Sequence, residues 1–506
     1  MTWAQLHDVL RARGTIGDDA AAPAGAIVTV SGIAYDSRAV EPGQVFVALK
    51  GHRADGTAFV RQALDRGAVA VVSEQPRPPD VADIDVPWAM VTDARLALAQ
   101  IAAAFFRHPS AEMKVVGVTG TNGKTTTAHL VASIFEAAGI SCGVLGTVAY
   151  RIGNELREAP RTTPEAPDVQ QLLREMVDRG CGACAMEVSS HALALRRADE
   201  MSFAAGVFTN LTRDHLDFHA DMQAYFRAKR RLFDMLPRDA PSLINVDDPR
   251  GATLAELVAR PVTFAISRPA DLTPGPLSFS LAGLIFDIRT PRGTLRVRSK
   301  LVGRPNVYNI LAAVATSVAL DLPFDAIERG LQTLDGVPGR FQIVSTERDG
   351  VTVVVDYAHT DDALRNLLET ARPLASGRLI TVFGCGGDRD RTKRPLMGAV
   401  AGRLSDLIVV TSDNPRGEDP IRIVEEIQRG ITPDTRRDSG QRLLSIADRR
   451  EAIGKAIELA RPGDLVLVAG KGHEKYQVVG DQVLPFDDVA VAREALMTRR
   501  TNSGVV

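Results

Sequence analysis

The sequence predicts an α/β protein of about three domains, and three observations support this fold class. The chain of 506 residues is longer than one hydrophobic core usually supports, which favours roughly three domains. Strand and helix patterns alternate in the middle of the chain and again in its last third, as expected for mostly parallel sheets covered by helices. A glycine-rich loop near residue 120 joins a strand to a helix, which is typical of phosphate-binding folds.

The first hundred residues predict short strands, turns and helices. Residues 27–75 combine a Pro-Gly turn, a short helix and a buried strand, and a proline-rich loop follows them. A second helix is expected from about residue 94 to residue 106. The segment His108-Pro109-Ser110 is typical of a linker, so we predict a first domain over residues 1–108.

The stretch 115–127, VVGVTGTNGKTTT, is the strongest functional signal in the sequence. A β-branched strand leads into the glycine-rich turn, and Lys124 begins an amphipathic helix. Glycines let backbone N–H groups approach phosphate oxygens, and the helix dipole favours an anion there. Lys124 supplies a positive charge for the terminal phosphates, and the Thr125 hydroxyl can bind Mg²⁺. The standard motif has its first glycine where this chain has Val118, so Gly120 shortens the loop.

Three further features of the middle region are candidates for metal chemistry. Glu187 ends an apolar strand; such an acid is often solvated, but the phosphate loop one strand away favours a second metal ligand. His215 and His219 would share one face of a helix. Because no HExxH glutamate accompanies them, we expect a single histidine in a Mg²⁺ shell or a structural role. Lys229 has arginine neighbours, and residue type alone indicates a solvated basic face.

Four apolar strands in the last third each end in a polar loop, which predicts a second doubly wound sheet. We therefore predict a middle domain over residues 109–338 and a last domain over residues 339–506. Ligands of such sheets bind beyond the carboxyl ends of the strands. Three of the loops, 384–395, 413–416 and 470–474, combine arginines and carboxylates there. Arginine suits a carboxylate and an acid suits an amine, so these loops predict a pocket for a small zwitterion.

The composition indicates a soluble globular protein, with 45% apolar and 24% charged residues, and the net charge of −2 argues against non-specific nucleic-acid binding. The first residues lack the apolar centre of a signal peptide, and no apolar run reaches the roughly 20 residues of a spanning helix. A cytoplasmic protein without membrane insertion is therefore expected. The four cysteines fit a reducing compartment. Cys181 and Cys184 are interpreted as buried strand residues, since no second pair completes a zinc site.

Ten motifs follow one another along nearly the whole chain: GTNGKTT, MEVSSHAL, NLTRDHLDFH, YFRAKRRLF, GRPNVYN, VPGR, VDYAH, GCGGDRDRTKRP, SDNPR and GKGHE. Through them the chain resembles the Mur ligase family and, within it, the MurE-type tripeptide synthetases of peptidoglycan assembly. The resemblance implies an N-terminal UDP-binding domain, a central P-loop ATPase domain and a C-terminal Rossmann-like domain. It also implies a reaction in which ATP phosphorylates a carboxylate of UDP-N-acetylmuramoyl-L-Ala-D-Glu. The amine of an amino acid would then attack the acyl phosphate, leaving an amide, ADP and phosphate.

The resemblance also implies site residues, which are expectations at this point. The catalytic residues would be Lys124, Glu187, His215 and Lys229, with Lys229 carbamylated to N6-carboxylysine. Two Mg²⁺ ions would be held by Thr125, Glu187, His215 and Lys229. ATP would contact Gly120, Thr121, Asn122, Gly123, Lys124, Thr125, Thr126, Asn306, Asn309, Arg340, Asp356 and His359. The UDP-muramoyl-dipeptide would contact Ser37, Arg38, His52, Thr162, Thr163, Ser189 and Arg197.

The acceptor amino acid is predicted from the Asp-Asn-Pro-Arg loop, which resembles the mark of meso-diaminopimelate enzymes in the family. Diaminopimelate has a distal carboxylate that Arg416 and Arg389 could bind, while Glu474 and Asp413 could bind its distal ammonium. L-Lysine would leave those arginines unpaired. The expected acceptor contacts are Arg389, Asp413, Asn414, Pro415, Arg416, Gly470 and Glu474.

Three alternatives stay open at this stage. Within the enzyme class, the chain could ligate L-lysine or another diamino acid. A folylpolyglutamate synthetase is more distant, and the SDNPR motif disfavours it. From a different class, a nucleotide-dependent binding module could have lost ligation, although all four expected catalytic residues are present. Small-molecule substrates and a monomer are expected in each case.

Overall fold

The computed structural model describes residues 1–16, 28–51, 54–433 and 442–502. These residues form three mostly parallel sheets of four, eight and six strands, together with a small antiparallel sheet and a hairpin. The predicted α/β fold class is confirmed. The boundaries after residues 108 and 338 stay predictions. Among the described helices, none is long and apolar enough to cross a membrane.

The N-terminal domain contains a four-stranded parallel sheet. Its elements are α1 (Trp3–Ala12), β1 (Gly32–Ala34), β2 (Gln44–Ala48), α2 (Val60–Asp65), β3 (Ala70–Ser73), β4 (Trp88–Met90) and α3 (Ala94–Phe105). The strands follow the order β1-β2-β3-β4. The α1 helix begins with a capping box in which Thr2 and Gln5 accept from each other's backbone N–H groups. Trp3, Leu6 and Leu10 lie on one face of α1 and pack into the core.

The central domain contains the eight-stranded sheet. Its elements are β5 (Lys114–Thr119), α4 (Lys124–Ala137), β6 (Cys142–Leu145), β7 (Tyr150–Ile152), β8 (Glu155–Arg157), α5 (Ala166–Asp178), β9 (Ala183–Glu187), α6 (Ser190–Ala194), β10 (Phe203–Phe208), α7 (Met222–Asp234), β11 (Ser242–Asn245), α8 (Pro249–Ala255), β12 (Pro261–Phe264), β13 (Thr273–Pro274), β14 (Ser278–Ser280), β15 (Gly283–Thr290), β16 (Gly293–Ser299), α9 (Arg304–Ala319) and α10 (Phe324–Thr333). The strand order is β12-β11-β10-β5-β9-β6-β7-β8, with antiparallel pairs at β6-β7 and β7-β8. The carboxyl ends of β9, β5 and β10 therefore lie side by side, with Val118 opposite Glu187.

A small antiparallel sheet of β13 to β16 lies between β12 and α9, where the sequence analysis assigned no separate sheet. Leu284, Phe286 and Ile288 of β15 and Leu295 and Val297 of β16 are buried, and the residues between them along each strand are more exposed. This period of two is the pattern of strands that bury one face. The region thus differs from the predicted alternation of strands and helices.

The C-terminal domain contains the six-stranded sheet. Its elements are β17 (Gln342–Ile343), β18 (Thr352–Asp356), α11 (Asp361–Ala371), β19 (Leu379–Phe383), α12 (Lys393–Leu404), β20 (Leu407–Val410), α13 (Pro420–Gln428), β21 (Arg442–Ser445), α14 (Arg449–Leu459), β22 (Leu465–Ala469), β23 (Tyr476–Val479), β24 (Gln482–Pro485) and α15 (Asp488–Asn502). The strand order is β17-β18-β22-β19-β20-β21, and the pairs from β18 to β21 are parallel. The four predicted strands are β18, β19, β20 and β22, and they are adjacent.

The carboxyl ends of the central and C-terminal sheets face each other. Arg340 Nη2, just before β17, donates to Thr125 Oγ1 at the start of α4 (3.0 Å). Asn122 Nδ2 donates to Asp362 Oδ2 on α11 (3.2 Å). Ligands of parallel sheets bind at these strand ends, so the space between the two domains is the candidate site.

One buried ion pair in the C-terminal domain makes a testable prediction. Arg449 Nη2 of α14 lies 2.7 Å from Asp488 Oδ2 of α15, and both side chains are fully buried. Asp488→Ala leaves the guanidinium buried without its partner, so we expect the free energy of unfolding to fall by about 3–5 kcal/mol. Urea denaturation of the whole chain, followed by circular dichroism, measures this loss.

Glu494→Ala is the matched control, because the exposed Arg450–Glu494 pair joins the same two helices. Exposed pairs contribute little to stability, so this variant should unfold with the wild-type midpoint. Equal losses in the two variants would contradict the role assigned to burial.

Candidate active site

The phosphate loop, residues 120–123, joins β5 to α4 and is held by the segment after β10. Thr209 Oγ1 donates to the Asn122 carbonyl (2.6 Å). A Cβ on Gly120 would lie 1.9 Å from Thr209 Oγ1, and Gly120 has a φ of +145°. Only glycine fits this conformation and this space. The predicted loop residues all lie in this turn or the first turn of α4: Gly120, Thr121, Asn122, Gly123, Lys124, Thr125 and Thr126.

Two lysine amines converge on one carbonyl oxygen of this loop. Lys124 Nζ lies 3.0 Å and Lys229 Nζ 2.7 Å from Gly120 O. Lys229 comes from α7, is 1% exposed and has its Nζ 4.6 Å from the centre of the Tyr225 ring. Burial, and then the charge of Lys124, hold the pKa of Lys229 well below its ordinary value. No described carboxylate forms a salt bridge with Lys229, so the site would favour an added anion.

Residue type alone predicts that Lys229 lies on a solvated basic face, and this prediction is wrong. Its neighbour Arg230 pairs with Asp234 on the exposed side of α7. Lys229 itself lies four residues after Tyr225 and four before Phe233, and both of these aromatic residues are buried. Residues four apart share a helix face, so this spacing indicates burial where residue type alone does not.

Glu187 ends β9 as predicted and is 1% exposed, so it is not a solvated acid. The backbone N–H of Thr147 donates to its Oε1 (2.8 Å), and the Thr147 hydroxyl donates to its Oε2 (3.0 Å). A Cβ on Gly146 would lie 2.4 Å from Glu187 Oε1. Thr162 Oγ1 lies 3.0 Å from Thr147 Oγ1, and Thr163 Oγ1 donates to the Glu187 carbonyl (2.8 Å). Thr147 thus orients Glu187, although no sequence motif singled it out.

His215 and His219 lie in a turn after β10 and not in a regular helix. His215 has a φ of +54°, and its Nε2 lies 3.4 Å from Asp214 Oδ2. Burial lowers the pKa of His215, so the imidazole is neutral and has a lone pair for a ligand. His219 Nε2 lies 2.9 Å from Ser190 Oγ in a buried contact. The structure therefore favours His215 as the candidate ligand and gives His219 a packing role.

Two asparagines of α9 and one arginine flank the phosphate loop. Asn309 Nδ2 donates to Asn306 Oδ1 (2.8 Å), and a Cβ on Gly123 would lie 2.4 Å from Asn309 Oδ1. Arg340 reaches the loop from the other domain through Thr125. These three predicted nucleotide residues thus surround the start of α4.

Asp356 ends β18 and His359 follows it, on the C-terminal side of the gap. Asp356 Oδ2 accepts from the Phe341 N–H (2.6 Å), and burial raises the pKa of this carboxyl. His359 Nδ1 lies 2.9 Å from the Tyr357 carbonyl, and burial lowers the pKa of the imidazole. Lys393 Nζ donates to the His359 carbonyl (2.9 Å). Both predicted residues are thus fixed by local contacts at the strand end.

Ser189 and Arg197 lie beside Glu187 in the central domain. The Ser189 N–H donates to Thr163 Oγ1 (3.1 Å). Arg197 Nη1 donates to the Thr163 carbonyl (3.2 Å), and its Nη2 pairs with Glu165 Oε1 (2.8 Å). The four predicted dipeptide residues of this domain therefore form one connected cluster.

Ser37 and Arg38 lie in the N-terminal domain after β1, and Ser37 is buried whereas Arg38 is exposed. Close by, the Tyr35 hydroxyl donates to Asp168 Oδ2 of α5 (2.7 Å), which joins the two domains. Tyr35, two residues before Ser37, thus contacts the central domain. His52 lies outside the described residues.

The three polar loops of the C-terminal sheet contact one another at the strand ends. Asn414 Nδ2 donates to Glu474 Oε2 (3.0 Å), and Arg416 Nη1 donates to the Gly387 carbonyl (2.9 Å). The β23-β24 hairpin covers them, since the Arg416 N–H donates to the Val478 carbonyl (3.0 Å). The predicted acceptor residues of two loops are thereby brought together: Asp413, Asn414, Pro415, Arg416, Gly470 and Glu474.

Arg389 is the cation of loop 384–395 that is available to a ligand. The other cations of this loop bond within the protein: Arg391, Lys393 and Arg394. Arg389 is exposed, and no hydrogen-bond or ion-pair partner for it occurs among the described residues. It lines a cavity of about 430 Å³ whose wall also includes Arg213 and Leu216 of the central domain. A ligand between the domains could therefore reach Arg389.

Lys471 is a further member of the acceptor cluster that the sequence analysis did not single out. Its Nζ lies 2.9 Å from Asn414 Oδ1, 3.2 Å from Glu474 Oε2 and 3.3 Å from Asp413 Oδ1. The two carboxylates predicted to bind an acceptor ammonium therefore already share an internal cation. A lone lysine between two glycines gives no local signal of burial.

Three family models match successive parts of the chain. The model of the Mur ligase family catalytic domain matches residues 29–106, and that of the Mur ligase middle domain matches residues 118–317. The model of the Mur ligase glutamate ligase domain matches residues 339–472. A UDP-N-acetylmuramoyl-L-alanyl-D-glutamate–2,6-diaminopimelate ligase of Geobacter metallireducens is 50% identical over 478 residues, covering 91% of this chain and 92% of that protein. The chain belongs to the Mur ligase family.

Other similar proteins agree with this assignment. A ligase of the same name from Alkaliphilus metalliredigens is 46% identical to this Mur ligase over 472 residues, covering 92% of this chain and 93% of that protein. A solved structure of such a diaminopimelate ligase is 34% identical, covers 99% of both chains and has a TM-score of 0.68. A MurF ligase from Thermotoga maritima in complex with ADP shares the fold, with 20% identity, 94% and 99% coverage and a TM-score of 0.64. The predicted three-domain architecture is confirmed.

In this Mur ligase His473 is partly buried at the domain gap, and this predicts a pH dependence. Burial, and then the Arg340 guanidinium, lower the pKa of His473 to about 4. The unfolded chain binds a proton below pH of about 6.5, whereas folded His473 does not until about pH 4. Stability is therefore lost as pH falls through this window. Between pH 7 and pH 4.5, we expect the free energy of unfolding to fall by about 2 kcal/mol less in His473→Gln than in the wild type.

Urea denaturation at a series of pH values measures this difference. His108→Gln, at an exposed histidine, is the control variant. Parallel curves for the wild type and His473→Gln would contradict the prediction.

Proposed function

We propose that this Mur ligase adds meso-diaminopimelate to the D-Glu of UDP-N-acetylmuramoyl-L-Ala-D-Glu in peptidoglycan precursor synthesis, with ADP and phosphate as products. Relatives named as 2,6-diaminopimelate ligases support this substrate class. The proposal depends on one observation, that two candidate sites face each other. Arg340, beside the acceptor sheet, reaches Thr125 at the phosphate loop.

ATP is proposed to bind at the phosphate loop. Lys124 Nζ bonds the carbonyls of Gly120 and Thr121 (3.0 and 2.9 Å) and would exchange these contacts for terminal phosphate oxygens. Arg340 would bind the same phosphates from across the gap. Asn306 and Asn309 would face the adenine, with Asp356 and His359 on the opposite side of the nucleotide. The ADP complex of a MurF ligase with the same fold supports this arrangement.

The side chains around the loop fit Mg²⁺, and we propose two ions. Mg²⁺ is usually held by one or two carboxylates together with substrate phosphates. Thr125 offers a hydroxyl, Glu187 a carboxylate and His215 a neutral imidazole. Among the described residues, no group of three or more His, Cys, Asp or Glu could hold a metal, which agrees with a shell completed by phosphate oxygens. When bound, Mg²⁺ neutralises charge on the phosphoryl group in transfer.

Lys229 is proposed to be carbamylated. Its burial beside Lys124 favours the neutral amine, which is nucleophilic. The nitrogen would attack the carbon of CO₂, so that an N–C bond forms and one proton leaves. The resulting carbamate is an anion beside the Lys124 ammonium and has oxygen atoms suited to Mg²⁺.

The proposed reaction then has two steps between the facing sites. A carboxylate oxygen of D-Glu attacks the γ-phosphorus of ATP, an O–P bond forms and ADP leaves, while Lys124 and Arg340 hold the phosphates. The acceptor amine next attacks the acyl carbon, the bond to phosphate breaks and the nitrogen loses one proton. The dipeptide would be held by Thr162, Thr163, Ser189 and Arg197, and the UDP by Ser37, Arg38 and His52.

The acceptor pocket is proposed to recognise a zwitterionic distal head. Arg416 and Arg389 would bind the distal carboxylate, and Glu474 and Asp413 the distal ammonium, with Asn414, Pro415 and Gly470 completing the pocket wall. L-Lysine would leave the guanidinium groups without an anion, which is costly where water is excluded.

The domain bounds, the oligomeric state and the location of the protein are also proposed. The domains would span residues 1–108, 109–338 and 339–506. The protein would act as a monomer in the cytoplasm, where its nucleotide substrates are found.

Phosphate release tests the acceptor. With ATP, Mg²⁺ and UDP-N-acetylmuramoyl-L-Ala-D-Glu, we expect turnover with meso-diaminopimelate and about 100-fold lower kcat/KM with L-lysine. Arg416→Ala should lower kcat/KM for diaminopimelate by a similar factor, because a charge-assisted pair is lost. Arg422→Ala, an exposed arginine on α13, should have no effect. Preferred turnover with L-lysine would reject the acceptor, and phosphate release without any amine would favour a module that has lost ligation.

The role of Lys229 is tested separately. Lys229→Ala should lower kcat at least about 1,000-fold, since both the proposed carbamate and its metal contact are lost. Arg230→Ala removes the adjacent exposed cation and should retain activity. Carbon-13 NMR after addition of labelled bicarbonate should give a carbamate signal in the wild type and in Arg230→Ala. Wild-type turnover in Lys229→Ala would reject the metal-bridging role.

A further inference from the structure

Lys471 is a fully buried lysine in the acceptor pocket, with 0% of its side chain exposed. It follows β22 and lies between Gly470 and Gly472. Its ammonium contacts two carboxylates and one amide oxygen at 2.9–3.3 Å: Asp413, Glu474 and Asn414. A buried charge is tolerated when it is paired and hydrogen-bonded, and all three ammonium protons can be used here.

The backbone around Lys471 directs its side chain inward. Gly470 has a φ of +123° and Gly472 a φ of +54°, conformations that favour glycine. A Cβ on Gly472 would lie 2.7 Å from Tyr357 Cβ. The Glu474 N–H donates to the Lys471 carbonyl (2.9 Å), which closes a turn and returns the Glu474 carboxylate to the ammonium. The loop conformation therefore holds the Lys471 side chain in its buried position.

Lys471 also sets the orientation of the Asn414 amide. Asn414 Oδ1 accepts from Lys471 Nζ (2.9 Å) and from the Val478 N–H (3.0 Å). The opposite end of the amide, Nδ2, therefore points at Glu474 Oε2 and donates to it (3.0 Å). The position of the Glu474 carboxylate thus depends on Lys471 both directly and through Asn414.

The charged side chains of this cluster have a net charge of minus one. Asp413 and Glu474 contribute two carboxylates and Lys471 one ammonium. The nearby Arg449 is already paired with Asp488 in a buried ion pair, so it does not change the balance. A cluster with one net negative charge matches a ligand that places one ammonium beside it, while Arg416 and Arg389 serve the ligand's carboxylate.

We propose that Lys471 is a positioning residue that sets the acceptor pocket for a single distal ammonium. It neutralises one of two neighbouring carboxylates and holds Asn414 and Glu474 in place. Without it, the two neighbouring carboxylates would repel each other and would move from the observed positions. The substrate class that fits is an amino acid whose distal head has one ammonium. This inference rests on the proposed ligase function.

A charge-restoring double variant tests the inference. Lys471→Met removes the cation at similar length, and we expect the KM for diaminopimelate to rise at least 10-fold while the KM for ATP stays within twofold. Asp413→Asn in the Lys471→Met background returns the net charge to minus one. This double variant should recover part of the affinity, with a KM for diaminopimelate at least threefold below that of Lys471→Met.

A space-filling role for Lys471 predicts the opposite result. In that case the double variant would bind diaminopimelate as weakly as Lys471→Met or more weakly, and the inference would be overturned. An unchanged KM in Lys471→Met would also overturn it. If Lys471→Met fails to fold, the double variant can be used instead, because it has no uncompensated carboxylate pair. Its KM for diaminopimelate is then compared with that of Asp413→Asn alone. A lower KM in the double variant supports the charge role.

The same series separates this inference from the proposed acceptor. If the wild type releases phosphate with L-lysine and not with diaminopimelate, the acceptor proposal fails. L-Lysine also has one distal ammonium, so its KM in the four proteins then tests Lys471 in the same way. Calorimetric titration of the accepted amino acid into each protein gives the affinities without turnover.

Discussion

The site depends on one backbone oxygen, the carbonyl of Gly120, which accepts hydrogen bonds from two lysines. Lys124 reaches it from α4 and Lys229 from α7, and the apolar cores on the two faces of the central sheet fix both helices. Because the two amines lie close to the same oxygen, protonation of one amine disfavours protonation of the other. This arrangement costs stability, and a bound phosphate or a carbamate on Lys229 would offset that cost. Function therefore explains a contact that packing alone would not favour.

The C-terminal domain completes the site through polar contacts. Arg340 reaches Thr125, and Asn122 reaches Asp362. The main buried clusters of the central and C-terminal sheets are separate, so each sheet keeps its own pocket shape. Polar contacts between domains exchange readily for water. The proposed nucleotide and acceptor pockets could then approach each other while each keeps its own shape.

Sequence patterns predict those parts of the site that depend on local structure. The strand-glycine-helix stretch, the acid that ends β9 and the polar strand-end loops of the C-terminal sheet all have signals within a few residues. Thr147 and Lys471 have no such signal, because their roles come from Glu187 and Asp413, which lie far away in the chain. Lys229 has a sequence signal of an intermediate kind. Its residue type suggests solvent, but its spacing from buried aromatic residues on α7 indicates the core.

The two halves of the site share one electrostatic principle with opposite signs. The phosphate loop is flanked by the cations Lys124 and Arg340, which suit an anion, whereas the cluster of Asp413, Glu474 and Lys471 has a net charge of minus one, which suits a cation. Arg389 adds a guanidinium without a partner among the described residues. A ligand that satisfies all of these groups must have an ammonium and a carboxylate at defined positions. A ligand lacking one of them leaves a charge unpaired as water is excluded. In the proposed acceptor site, selectivity would then arise mainly from the penalty on the wrong ligand, because the fold has already ordered the groups that the right ligand would contact.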